Sequence, residues 1–393
     1  MMFSKPLSRT ALLLAFASFA PAPGVAQQSA PPPIDFSGVL FANFQRRTDS
    51  IAKATNGTEA SSRFDVERVY LTFRASAGDR ASVRITTDIY NNTDAATNGY
   101  YKGWTARLKY AYLQMNVANN IGGHSGFNAV ARLGMLHNVI LEHEETYWPR
   151  YLSTAGLERS GGFFSSADVG VAALVTLPKK LGEIYTNVVN GPGYTASEAD
   201  RFKDFGARLT ITPFANGTTL GTWGQTLAIS PWFYAGQTAS QFQNGGVGQV
   251  GPVSDGLKRN RAGVFVGVRD PRLSLGVSFG QRTETTEAGS NTVGDPRTTA
   301  DNTGQLTSVF GIVRPGLLAK QTGRLAKIGV LGRVDSFKAN TDADPYTQLA
   351  IFSLFYEPNS RITLSLDTQT ISRKDGSTAN ELKALFLHLQ ASY

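Results

Sequence analysis

The chain has 393 residues and no cysteine, which excludes a disulfide scaffold and thiolate metal sites. Its 38 Lys and Arg against 30 Asp and Glu give a net charge of +8, without the dense basic runs that would point to nucleic acid. Forty glycines, 23 phenylalanines, 14 tyrosines and few unbroken apolar runs fit an all-β chain with separate polar and apolar faces better than a large globular core.

Residues 1–26 read as a secretory signal: Lys5 and Arg9, an apolar core from Ala11 to Ala20, and small residues at Gly24-Val25-Ala26 suited to cleavage. The core is too short to span a bilayer as a helix, so export across an inner membrane is expected. Without Lys5 and Arg9 the balance falls to +6. A short linker, 27–33, precedes one closed architecture, 34–393, since no further linker interrupts the chain.

Period-two alternation then marks about sixteen segments suited to crossing a bilayer as tilted strands. They fall near 34–46, 62–76, 81–91, 105–117, 127–137, 167–177, 183–190, 204–213, 226–237, 261–269, 273–282, 305–315, 325–338, 345–357, 361–373 and 381–393. Tight turns follow the second, sixth, tenth and fourteenth, at Ala77–Arg80, Pro178–Lys180, Asp270–Arg272 and Pro358–Ser360. Longer polar connections fall between them. Short turns at one end and long loops at the other are the asymmetry of an outer-membrane barrel, and an even strand count puts both chain ends on the short-turn, periplasmic side.

The faces agree. Val83, Ile85, Thr87 and Ile89 alternate with Ser82, Arg84, Thr86 and Asp88; Leu273, Leu275, Val277 and Phe279 alternate with Ser274, Gly276, Ser278 and Gly280. In a bilayer the apolar set faces lipid and the polar set faces a watery lumen, and only closure satisfies every backbone group. The last strand places Leu385, Leu387, Leu389, Ala391 and Tyr393 on one face, resembling the terminal signal read by the barrel assembly machinery. Against the soluble alternative, a large β-sandwich or β-helix, the chain shows no fixed repeat of 20–50 residues, and a sandwich needs no loop asymmetry. From 138 to 166 the alternation stops, the longest such gap, and this third external loop is expected to fold into the lumen as a constriction.

Two stretches resemble the phosphate-selective porin O and P family. One is FDVERVYLTFRASAGDRASVRITTD, Phe64 to Asp88, similar to that family's early hairpin; the other is RLGMLHNVILEHEETYWPRYLSTAGLERS, Arg132 to Ser160, with a central Gly in its strand, an acidic loop and a closing Glu158-Arg159-Ser160. The resemblance implies a sixteen-stranded channel, a homotrimer, in the outer membrane of a diderm bacterium. Phosphate carries over less directly, because the loop places Glu142, Glu144 and Glu145 beside Arg150 and Arg159, where phosphate-selecting members present cationic side chains.

The facing assignment sends Arg68, Arg74, Arg84, Arg132, Arg208, Lys327 and Arg333 into the lumen, against Asp88, Asp335 and Asp367. Fixed positive charge in a narrow passage lowers the barrier to anions. The sequence thus points to an outer-membrane porin for passive diffusion of small hydrophilic solutes, weakly anion-preferring, with phosphate one solute and outer-membrane lipid around it. The competing reading pairs these arginines with carboxylates that hold the loop in a nearly unselective pore. The loop glutamates read either as a cation-attracting patch or as latches onto wall arginines. Tyr147, Trp148 and Tyr151 read either as a sugar-stacking surface or as packing against the wall. Tyr90, Tyr100, Tyr101 and Trp104 suit an interfacial girdle.

A non-conducting structural or adhesive barrel is the first alternative, and a barrel hydrolase the second. His143-Glu144 begins like a zinc-protease signature, but Tyr147 stands where its second His belongs, and no phosphate-binding loop is evident. No enzyme activity, cofactor, metal or nucleic-acid partner is expected.

Overall fold

The computed structural model describes residues 33–57, 60–92, 103–198, 200–217, 221–239, 256–288, 298–342, 346–375 and 381–393. The expected signal segment, nearly all of the linker, and Tyr100 and Tyr101 lie outside the described residues.

Sixteen long strands follow one another: β1 Ile34–Arg47, β2 Ser61–Ser76, β3 Ala81–Asn92, β4 Gly103–Ala118, β5 Asn128–His137, β6 Ala167–Thr176, β7 Gly182–Val189, β8 Asp204–Ile211, β9 Ala228–Ala235, β10 Leu257–Arg269, β11 Leu273–Ala288, β12 Thr298–Val313, β13 Ile328–Lys338, β14 Thr347–Asn359, β15 Ile362–Arg373 and β16 Leu382–Ser392. Each pairs antiparallel with its sequence neighbours, and β1 also pairs with β16, Val39 opposite Ser392 through Arg47 opposite Ala384. The sheet closes into a barrel, so it has no free edge between its first and last strands. Gln237–Thr238 adds a two-residue strand against the start of β10.

The first three short turns lie where the sequence places them, and the fourth moves to residues 360–361 because Pro358 and Asn359 extend β14. Several boundaries differ. β11 and β12 run on as a hairpin to Ala288 and Thr298, because the Thr- and Glu-rich stretch that reads as loop still pairs residue by residue, Thr285 with Asp301 and Thr286 with Ala300. β13 begins at Ile328, three residues later than expected; Leu325–Lys327 form a 3-10 turn instead.

Alternation separates the faces as expected. Leu275, Val277, Phe279, Leu364, Leu366, Leu385 and Leu387 point out and stay exposed, while Ser278, Ser365, Asp367 and His388 on the same strands point in and are buried. The inner wall is less polar than the alternation suggests. Phe265, Leu306, Phe310, Leu331, Leu349, Ile351 and Phe355 face inward and are buried in one cluster with residues of the 138–166 segment.

Register shifts occur in four of the strand pairs, and two of them re-aim side chains toward the lumen. The β1–β2 register shifts between Phe41 and Ala42, making room for Glu67, and the β3–β4 register shifts between Thr86 and Thr87, making room for Lys109. A bulge puts one extra residue on a strand and re-aims its side chain.

Candidate functional site

Val139, Ile140, Leu141, Trp148, Ala155, Leu157 and Phe163, all in the 138–166 segment, are at most 1% exposed. The segment is irregular apart from two short helices, Leu141–Glu145 and Gly156–Arg159. Irregular backbone away from water must find donors for its carbonyls. The wall supplies them. Arg208 on β8 donates to the Val139 carbonyl at 3.0 Å, Arg282 on β11 to Gly161 at 3.3 Å, Arg333 on β13 to Thr154 at 2.7 Å and Gln369 on β15 to Leu152 at 2.9 Å. Arg150 of the segment reaches across to the Tyr70 hydroxyl on β2 at 3.2 Å. Partners on strands around the whole ring can be reached together only from inside it.

Most of the wall arginines named from the sequence are neutralised. Arg68 and Arg107 share the buried Asp88. Arg84 lies 3.6 Å from Glu142 and donates to His137 Nε2 at 3.1 Å. Arg208 pairs with Glu183, and Arg333 holds Asp335 through Nε and Nη2 at 2.8 and 2.6 Å. Arg132 differs: its Nε donates to the neutral Gln114 at 3.0 Å and its guanidinium lies over Tyr112. Arg74 sits near the short-turn rim, 3.8 Å from Asp35 with both exposed. Lys327 is not on the wall. It lies in the 3-10 turn before β13 and donates to the Pro358 carbonyl at the rim, because the strand begins one residue after it.

The loop carboxylates are not latches onto opposite-wall arginines, save for Glu142 beside Arg84. Glu145 and Glu158 both hold Arg150 of the same segment. Glu144 is 1% exposed and accepts from Ser278 at 3.4 Å; burial pushes its carboxyl up to about 7. Arg159 is exposed and, among the described residues, meets no carboxylate in an ion pair, as is true of Arg132. Trp148 and Tyr151 are packing residues: Trp148 donates to the Ser153 carbonyl at 2.7 Å and packs on Phe310, its ring beneath Arg333. Tyr147 packs on Phe265 and borders open space.

Two spaces lie toward the short-turn side of the segment. One, of about 270 Å³, is bounded by β5–β8 and the start of the segment, and the other, of about 1050 Å³, is bounded by Tyr147, Pro149, Arg269, Arg314 and Glu357.

The architecture is that of the outer-membrane porins. The outer-membrane channel DcaP of Acinetobacter baumannii superposes with a TM-score of 0.59 at 13% identity, covering 92% of this chain and 98% of that one. OprB of Pseudomonas putida gives 0.60 at 10% identity, covering 92% and 94%. An anion-selective porin from Comamonas acidovorans gives 0.58 at 9% identity, covering 92% and 99%. No protein-family model and no curated protein matches the sequence. At these identities the likeness is one of fold.

Sequence parity missed several inward residues of this porin fold. Lys109, 3% exposed, donates to the Tyr70 hydroxyl at 3.2 Å, and only the β4 bulge turns it inward beside Tyr110. Arg107 lies between the rings of Tyr90 and Tyr194, at 4.0 and 4.7 Å, so Tyr90 faces the lumen and is no girdle residue. Trp104 on the outer face is exposed, as a girdle requires.

Proposed function

We propose that this chain forms a passive channel in the outer membrane of a diderm bacterium, admitting small hydrophilic solutes past the 138–166 segment with a weak preference for anions. The observation that carries the reading is the charge balance inside the ring. Arg68, Arg84, Arg208 and Arg333 are offset by carboxylates, whereas Arg132 and the segment's Arg159 are not. An inner wall with a small uncompensated positive charge favours anions modestly, and less as salt rises.

On this reading residues 1–26 are the removed export signal, β16 together with Tyr393 after it engages the assembly machinery, and three copies associate, as the resemblance to the phosphate-selective porin O and P family implies. Phosphate is one anion such a wall would pass. The test is the reversal potential of the purified protein in a planar bilayer under a chloride gradient, with phosphate titrated afterwards. An anion-signed potential is expected, and Arg132→Glu shifts it toward cations more than Arg84→Glu, since Arg84 already faces Glu142. A cation-signed potential, or no conductance from folded protein, overturns the proposal.

A further inference from the structure

The smaller space beneath the segment carries a charge pattern that a simple passage does not need. Arg132 and Arg208 face it from β5 and β8, and Glu142 and Glu183 face it from the segment and β7. Arg208 is fully engaged, by Glu183 and by the Val139 carbonyl. Arg132 is held in place but not used up: Gln114 takes its Nε, the Tyr112 ring lies 5.3 Å from its Cζ, and its terminal amino groups meet no carboxylate among the described residues. Glu142 is fixed by Arg84 and His137, yet its side chain keeps 44% exposure, and each carboxylate oxygen has a second lone pair to offer.

His143, also lining the space, adds no positive charge at neutral pH, because burial pushes its imidazole down to about 3. The two lining arginines therefore face two lining glutamates. A plain anion here meets Glu142 and Glu183, and a plain cation meets Arg132 and Arg208; either is opposed by one pair. A compact molecule carrying both charges can set its carboxylate against Arg132 and its ammonium against Glu142, which it shares with Arg84. The volume, about 270 Å³, falls just below the roughly 300–1,000 Å³ typical of sites for drug-sized ligands, so the occupant is small.

We infer that this space is a binding subsite for a small zwitterion of the α-amino acid class, its carboxylate on the terminal donors of Arg132 and its ammonium toward Glu142. A guanidinium presents paired donors matched to a carboxylate, which a lysine would not. The inference rests on the channel reading above, and names one class of solute that the channel detains.

The experiment is current block in planar bilayers at fixed KCl, with L-alanine, propionate, isopropylamine and lactamide added in turn to both sides. L-Alanine is expected to block at a concentration at least tenfold below the other three, and Arg132→Gln and Glu142→Gln each to raise that concentration at least tenfold. Arg46→Gln, remote on the outward face of β1, leaves the block of the parent protein intact. Equal block by propionate overturns the inference in favour of a plain anion site. A conducting channel that L-alanine does not block overturns it while the channel reading stands; folded protein without conductance removes both. The four compounds on the unaltered chain decide the matter even where a variant fails to fold.

Discussion

Arg333→Met keeps an unbranched apolar stem and removes the guanidinium that ties the segment to the wall. Arg333 is 2% exposed, holds a fully buried Asp335 through two nitrogens, donates a third bond to the Thr154 carbonyl and lies 4.6 Å from the Trp148 ring centre. Without it Asp335 keeps Ser160 but no cation, and Thr154 loses its donor. An exposed pair would matter little, about 0–1 kcal/mol. Breaking a buried pair by removing one partner costs about 3–5 kcal/mol, since the other charge is stranded. If the seating of the segment bears even 3 kcal/mol of that, the seated-to-unseated ratio drops more than a hundredfold, at about 1.4 kcal/mol per factor of ten. Single-channel recordings of Arg333→Met are therefore expected to flicker to larger conductance levels. Arg333→Met with Asp335→Leu recovers much of the steady level, because the stranded charge is gone. A single variant with the parent's steady conductance and the parent's urea midpoint refutes the anchoring argument.

Deleting residues 143–158 removes Trp148 and Leu157 together with the Thr154 and Leu152 anchors, and is expected to raise conductance in a barrel that still shows strand-type circular dichroism; unchanged conductance would mean that the segment does not narrow the passage. Trp148→Ala empties a fully buried site and is expected to loosen the segment by about 3–5 kcal/mol, read as faster proteolysis between 138 and 166. Glu144 gives a pH dependence. Its carboxyl is raised from an ordinary 4.5 to about 7, so its contribution to seating is fully present below about 4.5 and lost as pH rises through about 7. Channel noise should therefore grow over that window, and Glu144→Gln should flatten the profile; a parent channel equally quiet at pH 5 and pH 8 would count against it.

The barrel was legible in the sequence because a strand in a bilayer has a period of two and obeys it residue by residue. Leu364, Leu366 and Leu387 point out and Ser365, Asp367 and His388 point in as their alternation requires. The tight turns at Ala77–Arg80 and Asp270–Arg272 were legible too, since they use residues suited to turns. The segment 138–166 announced itself by lacking any period, and its unbonded carbonyls made wall donors necessary. Alternation could not say which donors.

Parity fails at bulges, so Glu67 and Lys109 were invisible as inward residues, and a boundary shift of three residues carried Lys327 from the wall to the rim. Which arginines remain uncompensated was also beyond the sequence. Arg84 and Arg132 look alike in their strands, yet Glu142 approaches the first and Gln114 the second. The sequence by itself determined the strands, their faces and the place of the irregular segment, because these follow from local backbone geometry and a uniform apolar surrounding. Only the tertiary structure decided the pairing of charges, because residues distant along the chain meet across the lumen only after the ring has closed.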